Sequence, residues 1–316
     1  MTDDPDATAE DQAARAAWLY YLGGMTQDQI ARAMGVSRQR AQRLVSRAVA
    51  SGLVHVRLTH RLAGCLTLEA ALRDRYGLHL ARVAPGLGPG SDPLRAIASV
   101  AAGELERVLR EPGPLTIALG TGRALRALVE AMGLIDAPQH RFVSLIGNIA
   151  PDGSASYFDV IMRIAEKVKA PHYPMPTPVV CASAAENAAF QALAPVRRVR
   201  ELAQAADVTF VGVGQMGADA PLHMDGFLTA AELAEVQAAG AVGEMAGWIY
   251  DSAGRYMDLG LSARVGGVRV EPRDGRPVIA VAGGPAKVPA IAAALKSGLV
   301  NGLVTDEDTA RAILSR

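Results

Sequence analysis

Between Arg38 and Arg47 the chain reads RQRAQRLVSR, and its polar residues have the chemistry to read nucleic-acid bases. Arginine forks bind guanine, and glutamine amides bind adenine, in pairs of hydrogen bonds. At a helical pitch of 100° per residue, Ala41, Leu44, Val45 and Ala48 make one apolar stripe. The other side carries Gln39, Arg40, Gln42, Arg43, Ser46 and Arg47. A solvated helix face normally mixes signs. From Ser37 to Arg61 there is no acid, against six arginines.

A second chemistry is suggested further on, where three glycine-rich turns follow apolar runs. In LTIALGTGRAL, Gly120 and Gly122 let the backbone come close to a ligand, Thr121 adds a hydroxyl and Arg123 a charge. The helix that follows would turn its free N–H groups on an anion. A tight turn whose glycines serve geometry alone is the plain alternative. In VIAVAGGPAKVPAI, Lys287 falls in the first turn of a helix, where a cation opposes the helix dipole unless an anion is bound there; a solvated surface lysine is the plain alternative. In DVTFVGVGQMG, Gly212, Gly214 and Gly217 match a dinucleotide fingerprint, and Gln215 could face a cleft. That fingerprint needs a helix at once, and Pro221 with a loop stands there instead.

These residues need elements to hold them. Thr26 and Gln29 form a capping-box pattern opening the helix TQDQIARAM, with Gln27 in its first turn. Gly35 supplies a turn and Ser37 caps the second helix, which stops at Gly52. A supporting helix is expected over Ala13–Gly24, with Trp18 and Tyr21 in the core or, as the alternative, at a dimer contact. A wing strand, LVHVRLTH, would place His55 and Arg57 beside phosphates or, as the alternative, on a solvated strand edge. Residues 1–12 are acidic and are expected to be disordered or frayed. The pattern is a winged helix-turn-helix over residues 1–60, reading the major groove through Thr26, Gln27, Ser37, Arg38, Gln39, Arg40, Gln42, Arg43 and Arg47.

From residue 61 to 316 apolar strands alternate with helices, which argues for an α/β domain with a doubly wound, Rossmann-like parallel sheet. Strands are expected at 115–119, 141–147, 207–214 and 277–284. APHYPMPTPVV reads as a proline-rich connection, and a short helix is expected from Gly243. Ligands of such sheets lie at the carboxyl ends of the strands.

Lys and Arg total 32 and Asp and Glu total 32, so the basic first segment sits in a neutral chain, as expected if one module meets nucleic acid. Cys65 and Cys181 lie in apolar surroundings and read as buried free thiols. The 6 histidines lack metal-ligand spacing, and no nucleophile–base pair or cofactor is indicated. No apolar run reaches membrane-spanning length and no signal peptide is recognisable, so a cytoplasmic protein is expected.

With these pieces assembled, the chain resembles the SorC/DeoR-type sugar-binding transcriptional regulators from about Ala13 to Leu314. The resemblance rests on MTQDQIARAMGVSRQRAQRLVSRAVASGLV, LGTGRAL, DVTFVGVGQMG, GFLTAAELAEVQAAGAVGEMAGWIYDSAGR, VIAVAGGPAKVPAI and GLVNGLVTDEDTARAIL. It implies a winged helix-turn-helix joined to an effector domain related to sugar-phosphate isomerases. It also implies operator DNA as partner, control of a carbohydrate operon, a sugar phosphate as effector, and a dimer or tetramer. Gly120, Thr121, Gly122 and Arg123 fall on the family's phosphate-binding turn. Glu244 and Lys287 fall on effector-contacting positions, and Arg264 lies near a family arginine that follows a D-x-x-G segment, here DSAG. Arg123 departs from the second hydroxyl residue common at that turn. The N-terminal half is most similar to regulators of polyol use, which admits an unphosphorylated polyol as effector. The rival reading is an isomerase- or deaminase-like enzyme with a DNA-binding appendage; a nicotinamide-dependent redox sensor is a third.

Overall fold

The computed structural model describes residues 8–54, 62–88, 90–150, 152–154, 160–271 and 275–316. The chain packs as two units, Met1–His60 and Arg61–Arg316. In the first, three helices follow one another: α1 (Ala9–Tyr21), α2 (Gln27–Met34) and α3 (Arg38–Ala50). Their core is built from Ala13, Ala16, Ala17, Ile30, Ala41, Leu44, Val45 and Ala48. Alanines dominate it, so the helix backbones approach closely.

Each start is fixed by a side chain. Thr8 and Asp11 form a capping box on α1, and Thr26 and Gln29 form one on α2. Residues 9–12, expected to fray, are therefore the first turn of α1; the capping box satisfies N–H groups that would otherwise face solvent alone. Gly35 takes φ +66°, the left-handed turn between α2 and α3. Ser37 accepts from the Arg40 N–H at the start of α3. Ser37→Ala is expected to lower the melting point of the helix-turn-helix unit through a loss of about 1 kcal/mol, read by thermal unfolding. Trp18 is 67% exposed and Tyr21 also faces solvent, so neither takes the core place, the first of the two expected for them; the alanines of α1 bury the inner face instead. The expected wing from His55 on, including Arg57, lies outside the described residues, and Leu53 and Val54 are not in a strand.

The second unit opens with α4 (Ala63–Tyr76), β1 (Leu80–Ala84), α5 (Pro93–Val108), β2 (Thr116–Leu119), α6 (Arg123–Ala131) and β3 (Arg141–Ile149). It continues with α7 (Ile161–Val168), β4 (His172–Pro178), α8 (Ala184–Ala192), α9 (Ala194–Gln204), β5 (Val208–Gly212) and β6 (Gly214–Gln215). Then come α10 (Pro221–Met224), α11 (Ala230–Ala238), β7 (Ala241–Met245), β8 (Trp248–Asp251), β9 (Val278–Val281), α12 (Val288–Lys296), β10 (Gly302–Asp306) and α13 (Glu307–Leu314).

Seven strands form one parallel sheet in the order β1-β10-β9-β5-β2-β3-β4. Alternate strand residues feed two cores. Ile117, Leu119, Phe142, Phe210, Ile279 and Val281 face α5, α6 and α7. Ala118, Val143, Val211, Ala280 and Leu303 face α4, α9, α12 and α13. Phe142 and Phe210 are fully buried, each worth about 1.5–3 kcal/mol of transfer free energy. Cys65 and Cys181 are buried free thiols. No described helix is long and apolar enough to cross a membrane.

Two segments differ from the sequence expectation. His172–Pro178, expected to be a connection, is the edge strand β4. Its prolines, Pro174, Pro176 and Pro178, alternate with residues turned toward β3, so their missing N–H groups fall on the open edge. The helix expected from Gly243 is a β-hairpin, in which β7 pairs antiparallel with β6 and β8. Ala246 (φ +50°) and Gly247 (φ +82°) turn it, the two positive φ angles of a type I′ hairpin.

Candidate functional site

The chain runs outward from β2 through β3 to β4, returns to β5 beside β2, and then runs the other way through β9 to β10. The sheet's switch point therefore lies between β2 and β5, where a crevice opens at the strand carboxyl ends. The cleft found there is lined by Thr121, Gly122 and Arg123 after β2, Gly212 and Gly214 around the end of β5, and Glu244 of β7. Lys287 and Asp92 also line it, as do Pro221, Asp225 and Phe227 from the segment that follows β6.

The first turn sets Gly122 at φ +107°, ψ 175°, and no side chain caps the helix α6 behind it. Gly284, after β9, adopts nearly the same conformation, φ +108°, ψ 148°. Its N–H donates to the Thr309 hydroxyl at 2.7 Å, and Thr309 in turn is held by Asp306, the N-cap of α13. A Cβ on Gly283 would stand 2.3 Å from the Asp306 carboxylate. The glycines of this corner thus let the turn lie against the cap of α13, which aims Lys287 at the cleft.

Glu244 faces Lys287 there. One Glu244 oxygen accepts the Gly247 N–H at 2.9 Å, so the hairpin turn orients the carboxylate. Burial pushes its carboxyl above the usual range, while the Gly247 N–H and the Lys287 charge pull it back. Burial pulls the Lys287 ammonium down, and Glu244 opposes that shift. Lys287 makes no side-chain hydrogen bond or ion pair among the described residues. Arg123 is differently placed: its two terminal nitrogens bind the Asp225 carboxylate at 3.2 and 2.7 Å. The arrangement offers helix N–H groups and two cations to an anion, and two carboxylates to the hydroxyls of a polyol.

Gly214 has a specific reason to be glycine. A Cβ there would lie 2.1 Å from a Glu244 oxygen. The middle glycine of GVGQMG thus makes room for a carboxylate; it opens β6, and a turn follows, without the helix a dinucleotide fingerprint requires. Gly214→Ala is expected to displace Glu244 and weaken ligand binding at least about tenfold, a charge-assisted hydrogen bond being worth about 1.5–3 kcal/mol. Calorimetric titration checks it; unchanged affinity argues against a binding role for Glu244.

Of the residues singled out from sequence, Thr121, Gly122, Arg123, Glu244 and Lys287 converge on the cleft. Gly120 sits just behind, its N–H bonded to the Phe210 carbonyl. Gln215 does not line the cleft. It is buried against its own turn, donating to Asp219 at 2.9 Å and accepting from the Gly217 N–H. Arg264 does not either; it donates to the Cys181 carbonyl at 2.8 Å and pairs with Glu232 of α11. Asp225 and Asp92 were not read from sequence. Asp92 is visible in SDP as a helix cap, which explains it without a ligand.

In the first unit, Gln39, Gln42, Arg43, Ser46 and Arg47 are exposed on the outer side of α3. Arg38 and Arg40 flank that face. Arg38 lies 3.5 Å from Asp28, and Arg40 donates to Gln12 of α1 at 3.1 Å. Thr26 and Gln27 stand at the exposed start of α2.

The profile of a sugar-binding domain family matches residues 60–315, and a MarR-family profile matches residues 13–61. The crystal structure of the full-length sorbitol operon regulator SorC from Klebsiella pneumoniae superposes with a TM-score of 0.71 at 27% identity, covering 96% of this chain and 97% of that one. The chain belongs to the SorC/DeoR-type sugar-binding transcriptional regulators. Another member is the erythritol catabolism regulatory protein EryD of Brucella abortus (strain 2308), 37% identical over 311 residues and matched over 98% of both chains. The transcriptional regulator LsrR of Enterobacter sp. (strain 638) is 35% identical over 314 residues, covering 98% of this chain and 94% of its own. These relatives are named as an operon regulator, a catabolism regulatory protein and a transcriptional regulator, and the chain is a regulator rather than an enzyme.

Proposed function

We propose that this regulator controls a carbohydrate or polyol catabolic operon in the cytoplasm, and that a sugar phosphate or polyol bound in the cleft sets its grip on operator DNA. Gln39, Gln42, Arg43 and Arg47 of α3 read the major groove, with Arg38 and Arg40 at its flanks and Thr26, Gln27 and Ser37 near backbone phosphates. A homodimer or tetramer presents two such helices to a two-fold operator. The observation that carries the reading is the cleft itself. The Gly122 turn, Glu244 and Lys287 meet at the sheet's switch point, in a chain whose first unit exposes an arginine–glutamine helix face. The names of two relatives, for erythritol catabolism and the sorbitol operon, support a polyol or its phosphate.

The effector must bind one DNA-binding arrangement more tightly than the other. Calorimetric titration with a panel of polyols and their phosphates is expected to find one that binds and also shifts operator affinity in an anisotropy assay. A protein that binds none of the panel, and whose attraction to duplex DNA is insensitive to salt, overturns the reading.

A further inference from the structure

A second depression lies at the amino ends of β5 and β9, the opposite end of those strands from the cleft. It is lined by Arg200 of α9, by Arg269, Glu271 and Arg276 from the segment between β8 and β9, and by Trp248. Among the described residues, the three guanidinium groups are held without a carboxylate partner. Arg200 donates to the carbonyls of Gly266 and Gly267 at 3.4 and 3.1 Å. Arg276 reaches the Ala206 carbonyl at 3.4 Å. Arg269 lies over the Trp248 ring at 4.3 Å, with Tyr256 at 5.5 Å. A carbonyl or an aromatic face fixes where a guanidinium points and leaves most of its in-plane N–H donors unused.

Other arginines of this unit are matched differently. Arg82, Arg107, Arg123, Arg126 and Arg264 each bind a carboxylate. Among the described residues, Arg200, Arg269 and Arg276 have no ion pair. Burial pulls the Arg200 pKa down. The acid in the lining is Glu271, which is exposed at the rim. Among the described lining residues, three positive charges against one negative leave two in excess, in a concave site.

We propose that this depression is a second ligand site, separate from the effector cleft, that takes a small oxyanion carrying two negative charges, a phosphate monoester or a dicarboxylate. Both present paired oxygens to guanidinium edges. The inference stands on these arginines and does not depend on what the cleft binds.

The chain holds 2 tryptophans, so the full-length Trp18→Phe variant leaves Trp248 as its sole indole. Titrating it with inorganic phosphate at pH 8, and in parallel with succinate, at ionic strength held constant with sodium chloride, reads the site directly. A saturable change in Trp248 emission is expected with at least one of them. Phosphate alone assigns the phosphate class, succinate alone the dicarboxylate class, and both a general oxyanion site. The affinity is expected to fall at least about tenfold with Arg276→Gln, since charge-assisted hydrogen bonds are lost. It is expected to tighten a few-fold with Glu271→Gln, an exposed position that folding tolerates. Gly247 lines the cleft beside Trp248, so Lys287→Ala serves as the control and should leave the response intact. The proposal is overturned by no saturable response to either anion, or by the same affinity in the folded Arg276→Gln and Glu271→Gln variants. Loss of the response in Lys287→Ala, which would assign it to the cleft, overturns it as well, and so does dependence of the response on protein concentration, which would mark a contact between copies.

Discussion

Arg43→Ala is expected to weaken operator binding by roughly 5- to 150-fold, the equivalent of about 1–3 kcal/mol for a bidentate arginine–guanine contact. Arg43 lies on the outer side of α3, opposite the buried stripe of Ala41, Leu44, Val45 and Ala48. Its neighbours on the helix differ in one respect. Arg38 lies near Asp28, and Arg40 reaches back to Gln12, so part of their hydrogen-bonding capacity is spent within the protein. Exposed pairs of this kind are weak, and phosphate contacts can replace them. Arg40→Ala should therefore cost less than Arg43→Ala and act evenly on all sequences, whereas Arg43→Ala should also relax sequence preference. Fluorescence anisotropy on the operator and on a scrambled duplex separates the two. Effector affinity should be unchanged in both variants. Equal losses of DNA and effector binding would show that the substitution acts through the fold.

The architecture was legible where local chemistry and tertiary packing agree. Capping residues at Thr26 and Ser37, the glycine at Gly35 and the apolar stripe of α3 all encode the helix-turn-helix within a short window. The alternation of apolar runs with helices encoded the parallel sheet. Legibility failed where a long-range contact decides. The proline-rich β4 is a strand because β3 supplies a partner on one side and no described strand of the sheet pairs on the other, which no local propensity reports. The segment AVGEMAG contains good helix formers, yet pairing with β6 and β8 makes it a hairpin; the Ala246–Gly247 turn followed by Trp248, Ile249 and Tyr250 was the available signal.

The same distinction runs through the site. Glycine corners and first-turn residues such as Arg123 and Lys287 were visible because sheet topology gathers such turns in one place. Asp225 was not, since its partner Arg123 lies far away in the chain and nothing beside it marks the pairing. Gln215 and Arg264 were legible as polar residues near conspicuous motifs. Their side chains are spent on a local turn and on a tie to α11.

Lys287→Ala is expected to reduce effector affinity by roughly 10- to 150-fold, the range of a charge-assisted hydrogen bond worth about 1.5–3 kcal/mol. Two features set Lys287 apart from Arg123. The guanidinium of Arg123 is already bound by Asp225, so a ligand anion gains there only the difference between two carboxylate- or phosphate-type contacts. The ammonium of Lys287 faces Glu244 without a direct bond, at the start of α12, where the helix dipole disfavours a cation. Removing it relieves that repulsion and at the same time deprives Glu244 of its compensating charge. The two effects on stability oppose each other, so the melting point without ligand should move little while the ligand-induced rise in melting point collapses. Arg123→Ala should lose less affinity and should free the Asp225 segment. The ligand-free variant should still bind its operator, and the effector should no longer alter that binding. An intact ligand-induced shift in Lys287→Ala would remove the residue from the site and leave the Gly122 turn as the principal anchor for an anion.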